Sequence, residues 1–374
     1  MAKIVTKRLV VSAVNFTEGG PFNALRDCLT VAAASLADEW EIVALVHSRH
    51  LFDIPRIKFI EFPKSKRSWL YRLFLEYWKF SSLSRKLRSD VWLSLHDISP
   101  RIFAPKKLVY CHNPSPFYRP RFVEILWDPG FFLFTLFYSF LYRINIRSNK
   151  YVIVQQNWIR QAFQRMFCIN NIIVASPVIK HQYFSVLSVK PEKIIFFYPA
   201  LPRVFKNFEV LCDAAKILYQ RGETEFEVRL TISGFENRYA AYLKRRYSSC
   251  PVISFIGLQS KEMMAVQYQE ASALVFPSRL ETWGLPISEA KTWRKYLLIA
   301  DLPYANETVG DYVDVNFFDP LNPGQLADLM DGHLKGTLCP QGSHQAFIDE
   351  PYAANWEELI RLVVDDPVMP SGVD

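Results

Sequence analysis

Two glutamates, Glu281 and Glu289, stand eight positions apart in Ala273-Leu-Val-Phe-Pro-Ser-Arg-Leu-Glu281-Thr-Trp-Gly-Leu-Pro-Ile-Ser-Glu289-Ala. Residues 273–276 read as a short buried strand and 277–285 as a turn. Pro286 suits the first helical position, where its missing N–H costs nothing. The amides of Thr282, Trp283, Gly284 and Leu285 would then face a cleft, and such a loop before a helix start attracts phosphate and hydroxyl oxygens. Glu281 can accept from sugar hydroxyls, and Glu289, in the first helical turn, from a ribose diol. One acid near a helix start often only complements the helix dipole. The duplicated carboxylate points instead to a sugar nucleotide.

Cations that could meet the phosphates lie upstream. After the strand-like run 194–198 comes Pro199-Ala-Leu-Pro-Arg203-Val-Phe-Lys206-Asn207, with Asn207 a plausible N-cap for a helix carrying Phe208, Leu211, Ala215 and Leu218. Arg203 and Lys206 would crowd the mouth of that helix and hold a pyrophosphate by charge-assisted hydrogen bonds. No Asp-x-Asp follows a strand, so a catalytic metal is not indicated, and basic residues would stabilise the charge on a leaving diphosphate. In the first half, Asn15-Phe-Thr-Glu-Gly19-Gly20 follows one strand-like run, His96-Asp97 another and His112-Asn-Pro-Ser-Pro a third. Ligands of open α/β sheets bind beyond the carboxyl ends of strands, where these residues fall. Asp97 can contact an acceptor or cap a turn.

The Glu281 segment resembles the Glu-x7-Glu motif of the retaining family-four glycosyltransferases, Pro-Ser-x-x-Glu-Gly-Phe-Gly-Leu-Pro-x-x-Glu-Ala, with Thr282-Trp283 in place of Gly-Phe. Lys206-Asn207 is similar to the family's Lys-Asn. The usual Gly-Arg place reads Pro199-Ala200, so the arginine's role passes to Arg203 by proximity. Ser233-Gly234, Phe255-Ile256-Gly257, Ala300-Asp301 and Phe318-Asp319-Pro320 follow collinearly, and the resemblance covers about 194–330. Over the first half it is mostly architectural, with Gly19 and Gly20 as the glycine loop and His112 as the histidine that reaches the donor sugar.

The resemblance implies a GT-B architecture, two Rossmann-like doubly wound α/β domains facing a cleft. It implies retention by same-face attack, with the departing phosphate helping to take the acceptor's proton. Glu281, His112, Lys206 and Arg203 would be catalytic, Glu281 as electrostatic support for the sugar. Gly19, Gly20, Gly257, Thr282, Trp283, Gly284, Leu285 and Glu289 would bind the donor, and His96 and Asp97 the acceptor. No metal and no cofactor beyond the nucleotide diphosphate sugar is expected.

The elements that must position these residues alternate along the chain. Strand-like runs fall at 9–14, 41–46, 57–62, 91–95, 107–111, 151–154 and 172–175, then at 194–198, 226–232, 252–256, 273–276, 296–300 and 315–318. Helix-like stretches separate them, the rhythm of parallel sheets covered by helices. At 374 residues the chain has room for two domains. The expected limits are 1–185 for an acceptor-side domain, 193–355 for a nucleotide-sugar domain and 356–374 for a C-terminal helix and tail that can return to the first. No internal repeat is present.

Six cysteines lie far apart without a Cys-x-x-Cys pair, which fits a reducing cytoplasm. The N-terminus enters a strand-like run with no secretory pattern. Net charge is +7, and its placement matters more than its sum. Residues 64–88 hold eight basic residues and one acid among Trp69, Leu70, Phe74, Trp78 and Phe80 at largely helical spacing. A basic amphipathic helix suits an anionic membrane surface, and equally a solvated face on a packed helix. The apolar run 131–142 is too short to span a bilayer and reads as a core helix or a shallow membrane contact.

The expected function is transfer of a hexose or deoxyhexose to a growing, lipid-linked or free glycan in cell-surface polysaccharide synthesis, in the cytoplasm or on the inner face of the membrane. The partners are the sugar nucleotide and the glycan, with membrane contact through 64–88 and no nucleic acid. A sugar nucleotide epimerase or phosphorylase on the same scaffold, or a non-catalytic nucleotide-sugar or glycan-binding protein, are the alternatives. A nicotinamide dehydrogenase is disfavoured, because no Gly-x-Gly-x-x-Gly follows a strand.

Overall fold

The computed structural model describes residues 7–36, 38–177 and 191–366. Its strands are β1 (Lys7–Ala13), β2 (Trp40–Val46), β3 (Ile57–Glu61), β4 (Val91–Ser94), β5 (Lys106–Cys111), β6 (Tyr151–Val154), β7 (Ile172–Ala175), β8 (Ile194–Tyr198), β9 (Phe226–Leu230), β10 (Ile253–Phe255), β11 (Ala273–Phe276), β12 (Tyr296–Ala300), β13 (Val315–Phe318) and β14 (Tyr352–Ala353). Thirteen coincide with the expected runs to within two residues. Parallel strands covered on both faces are written as continuous apolar runs, which is why they were readable. The two-residue β14 has no such run.

Two parallel sheets result, in the orders β14-β7-β6-β5-β4-β1-β2-β3 and β10-β9-β8-β11-β12-β13. Each belongs to its own compact unit, and the division is not serial. The first unit is Met1–Pro116, Leu136–Val178 and Ile348–Asp374; the second is Phe117–Thr135 and Ile179–Phe347. The expected limits 1–185 and 193–355 therefore differ from the observed units at 117–135 and 348–355, and part of the expected junction lies outside the described residues.

Side-chain alternation along β1 sorts the first unit into layers. Leu9, Val11 and Ala13 pack with Leu25, Leu29 and Ala32 of the helix Gly19–Leu36 and with Trp356, Leu359, Ile360 and Val363 of the helix Trp356–Asp365. Val10 and Val14 face the other way, onto Leu75, Phe80 and Trp92. The C-terminal helix is held at its end by Lys106, whose buried Nζ donates to the carbonyls of Val363 (3.1 Å) and Val364 (2.9 Å). These are carbonyls that a helix C-terminus leaves without an internal partner. Trp356 stacks on Tyr110 at 5.4 Å.

Residues 69–87 form one helical stretch with a π turn inside it: Trp69–Phe74, then Leu75–Lys79, then Phe80–Leu87. The wider turn shifts the helix face, so Arg72, Lys79 and Lys86, spaced by seven, do not share one environment. Arg72 is half-buried and donates to the His96 carbonyl at 2.9 Å, whereas Lys79 and Lys86 are exposed. The apolar run 131–142 lies in the helix Pro129–Arg143 and is only partly core. Tyr138, Leu141 and Tyr142 are buried, while Leu133, Leu136, Phe137 and Phe140 are exposed.

The segment 117–135 joins the second unit through a buried polar cluster. Arg279, just beyond β11, donates to Glu124 and to the Tyr118 hydroxyl. Phe131 packs on Phe205 at 5.1 Å and Trp127 stacks on Tyr242 at 4.4 Å.

Candidate functional site

In the second unit the strand order reverses between β8 and β11, neighbours that carry the two loops of interest. That reversal is the topological switch point at which open α/β sheets bind ligands. After β8 the chain turns through a short 3-10 helix, Val204–Lys206, and Asn207 takes a left-handed conformation (φ 56°, ψ 44°). Its side chain does not cap the helix Phe208–Gln220 as expected. It donates instead to the carbonyls of Pro277 (3.2 Å) and Pro320 (2.8 Å), tying this loop to those after β11 and β13. Arg279 N–H donates to the Phe205 carbonyl at 2.7 Å, a second tie between the same loops.

These ties bring Lys206 and Glu281 into an ion pair, although they lie 75 residues apart in sequence. Their side chains are 16% and 14% exposed, so the pair is reachable but largely shielded from water. Lys206 Nζ also lies 5.6 Å from the ring centres of both Phe205 and Phe276. A shielded cation beside aromatic faces interacts more strongly with nearby charge than one in bulk water.

The loop after β11 turns at Gly284, with φ 82°. A side chain there would meet strained backbone and close contacts, since a Cβ would sit 3.2 Å from Ile287 Cδ1 and 3.4 Å from Phe276 Cε1. The helix Leu285–Thr292 follows, with Pro286 in its first turn. Among the described residues the N–H groups of Thr282, Trp283 and Gly284 donate to no backbone carbonyl, while the Gly284 carbonyl accepts from the Ile287 N–H at 2.9 Å. Trp283 is anchored by its indole N–H on Ser288 Oγ (3.0 Å). Glu289 falls one turn later than expected, outside the first turn. Its Oε2 accepts from the buried Tyr268 hydroxyl at 2.6 Å, leaving the carboxylate itself at the surface.

Arg203 is placed differently from the expectation that paired it with Lys206. It is 55% exposed at its side chain and lies 3.5 Å from Asp128. Gly257 follows β10, its N–H donating to the Ile232 carbonyl at 3.2 Å. Beside it the amides of Ser233 and Gly234 donate to Glu236 (2.5 and 2.9 Å). Burial alone would raise the Glu236 carboxyl, but these backbone hydrogen bonds prevail and hold it below its ordinary value.

In the first unit the equivalent reversal lies between β1 and β4. The loop after β1 carries Gly19 and Gly20, both exposed at the start of their helix, with Gly19 at φ 73°. The loop after β4 carries His96 and Asp97, and neither is an open acceptor contact. His96 is fully buried: its Nε2 accepts from the Val14 N–H (2.9 Å), which puts its proton on Nδ1, 2.8 Å from the Glu76 carboxylate. It ties together the loops after β1 and β4 and the π turn, and its ring is enclosed, unlike the open acceptor contact expected of it.

Asp97 is 6% exposed and left-handed (φ 66°). Its Oδ1 accepts from the N–H groups of His112 (2.7 Å) and Asn113 (3.0 Å) and from the Tyr142 hydroxyl (3.1 Å). It therefore sets the conformation of the His112 loop; the reading as a turn cap describes it better than acceptor contact. His112, after β5, packs its ring 5.4 Å from Phe16 and 6.0 Å from Tyr110, with Nε2 3.6 Å from Asp97 Oδ2. Burial holds the imidazole below its ordinary pKa, partly countered by the Asp97 charge. The ring is thus neutral at pH 7. In Asp97→Asn the side-chain oxygen remains for the two amides, but the countering charge is gone. The His112 imidazole resonance is then expected to titrate at lower pH than in the parent, and an unchanged titration would show that the Asp97 charge does not reach the ring.

Arg279, Glu124, Tyr118, Asp128 and Tyr268 were not singled out by sequence reasoning. Arg279 lies inside the Pro-Ser-Arg segment, a usable signal. Its partner Glu124 is 155 residues away, with nothing local to mark it. Among the described residues, no group of three or more His, Cys, Asp or Glu side chains is placed to hold a metal ion.

Residues 179–363 match the family model described as glycosyl transferases group 1. The O-antigen chain mannosyltransferase RfbU of Salmonella typhimurium is 21% identical over 235 residues, covering 58% of this chain and 62% of that protein. The chain thus spans about six tenths of the length of that curated relative. Sucrose-phosphate synthase from Thermosynechococcus elongatus aligns with a TM-score of 0.67 at 15% identity, covering 88% of this chain and 90% of that one. Anabaena Alr3699/HepE, solved in complex with UDP-glucose, aligns at 0.58 and 13% identity over 96% of both chains. These likenesses establish the fold, two parallel-sheet α/β units of the GT-B kind. Within that fold, the stretch matching the group 1 glycosyl transferases holds both switch-point loops of the second sheet.

Proposed function

We propose that the chain is a retaining, metal-independent hexosyltransferase. It moves a hexose or deoxyhexose from a nucleotide diphosphate sugar to a growing glycan, lipid-linked while it is built, in cell-surface polysaccharide synthesis at the inner face of the membrane. The observation that carries this reading is the shielded Lys206–Glu281 pair at the β8/β11 switch point, within the stretch matching the group 1 glycosyl transferases. The O-antigen chain mannosyltransferase supports the glycan class of acceptor, and the UDP-glucose complex of HepE supports a nucleotide diphosphate donor.

In this mechanism the bond from the anomeric carbon to the diphosphate breaks, and negative charge grows on the leaving oxygen. Lys206 donates to that group, with the free amides of 282–284 beside it. Glu281 supports the sugar as positive charge develops on its ring. Glu289, already held by Tyr268, accepts from the ribose diol, and Gly257 and the residues after it hold the base through the main chain. Arg203 reaches the diphosphate by leaving Asp128, a weak and solvent-exposed pair. Gly19 and Gly20 let backbone approach the donor, and neutral His112 donates or accepts a hydrogen bond at the sugar.

The test is thermal unfolding of the metal-free protein with UDP, GDP, dTDP, ADP and CMP. A ligand at about 100 times its dissociation constant adds about 2.7 kcal/mol, which at roughly 2 to 4 °C per kcal/mol is a clear shift. One nucleotide diphosphate is expected to stabilise selectively, and its sugar conjugates then form the donor panel. If none stabilises even with Mg²⁺ added, the donor assignment fails.

A further inference from the structure

We propose that the first unit docks on an anionic lipid surface through a composite face made by residues 69–79 and residues 136–140. This deepens the reading of a lipid-linked acceptor by naming the face that would bring the unit to it.

The face begins with three large side chains that the fold leaves in water. Leu70, Phe74 and Trp78, one helical turn apart, are 76%, 48% and 63% exposed. Phe74 and Trp78 stack on each other, ring centres 6.3 Å apart and 14° from parallel. The stretch has already met its packing requirement on the other side, where Leu75 and Phe80 bury against the sheet. The π turn at Leu75–Lys79 makes this compatible, taking Leu75 and Glu76 inward while Phe74 and Trp78 stay outside.

A second element extends the surface. The Trp69 ring lies 5.1 Å from Phe137, placing Phe137 and its neighbours Leu136 and Phe140 beside the first stretch. Leu136 and Phe140 are 59% and 61% exposed. Apolar side chains gathered in this way mark interaction sites on soluble units.

Charge chooses the occupant. Glu76 is the one acid in 64–88, and it is wholly buried against His96. The exposed charges of this stretch, on Lys64, Lys66, Arg67, Lys79, Arg85, Lys86 and Arg88, are therefore all positive. A second copy of the chain would oppose like charges across such a face. A surface of anionic headgroups over acyl chains satisfies both the cations and the apolar side chains. No helix among the described residues is long and apolar enough to cross a membrane, so the contact is shallow.

The experiment is flotation of the full chain with phosphatidylcholine vesicles, with and without phosphatidylglycerol, at low and high salt. The parent is expected to float with the anionic vesicles at low salt and to be released by high salt. Leu70→Asp with Trp78→Asp, and separately Lys79→Glu with Lys86→Glu, should each weaken binding about tenfold or more. Both variants must keep the parent's circular dichroism and nucleotide-induced thermal shift. Binding that ignores lipid charge overturns the proposal, as does undiminished binding by either variant when folded. A dimer in light scattering that Leu70→Asp with Trp78→Asp abolishes, without vesicle binding by the parent, assigns the face to a second copy instead. Vesicle binding without any nucleotide shift leaves the lipid face standing and removes the transferase reading.

Discussion

Lys206→Ala lowers turnover about a hundred- to a thousandfold, the usual loss when one donor that stabilises developing charge is removed from a shielded site. The Lys206 side chain is only 16% exposed and sits at the ends of two neighbouring strands, so bulk water does not replace it when the ammonium is gone. The truncation has a second effect, because Glu281 loses its counter-charge. A polar group left without its partner costs roughly 1 to 3 kcal/mol, which is a lowering of the melting temperature by several degrees but not a loss of fold. The two effects separate in a double variant. Adding Glu281→Gln to Lys206→Ala removes the stranded charge and restores most of the melting temperature, whereas turnover stays low. Near-parent turnover in a well-folded Lys206→Ala protein would sink the phosphate-clamp assignment.

Glu281→Gln abolishes measurable transfer, by about a hundredfold or more, while nucleotide diphosphate binding stays within a few-fold of the parent. The amide has nearly the size of the carboxylate and keeps an acceptor oxygen, so the loss reports charge. In the proposed mechanism that charge supports the sugar as its ring becomes positive, and the nucleotide makes no use of it. Initial rates with a donor sugar and titration with the matching nucleotide diphosphate check both halves. If binding falls in step with turnover, Glu281 acts by holding Lys206 for the diphosphate, and the sugar-side role passes to another group.

Some of this site was open to reading along the chain. Glu281 and Lys206 each follow an apolar run that could only be a buried strand, and each precedes a run of helical period, so both had to fall at carboxyl ends. Gly284 announced a turn that a side chain would crowd. His112 and Asp97 were legible as strand-end residues, yet their relation was not: that Asp97 holds the His112 amide depends on β4 and β5 lying side by side. A histidine at a strand end looks available, and the burial of His96 was not legible in the sequence. Only the packing of the π turn, which delivers Glu76 to its Nδ1, made it a buried tie. The nearness of Arg203 to Lys206 in sequence likewise said nothing of its contact with Asp128.

The sequence by itself determined the class of the fold, the succession of thirteen of the strands and the places of the reactive residue types at their ends. Those features rest on local rules: a strand covered on both faces must be apolar throughout, and a turn between strand and helix needs particular residues. Tertiary structure alone decided which residues meet. Lys206 with Glu281, Glu289 with Tyr268 and Arg279 with Glu124 are pairs separated by 75, 21 and 155 residues. It also decided that 117–135 belongs to the second unit and the C-terminal helix to the first. Partner choice of this kind follows from strand order and from the burial of whole faces, which are properties of the folded chain that no local stretch carries.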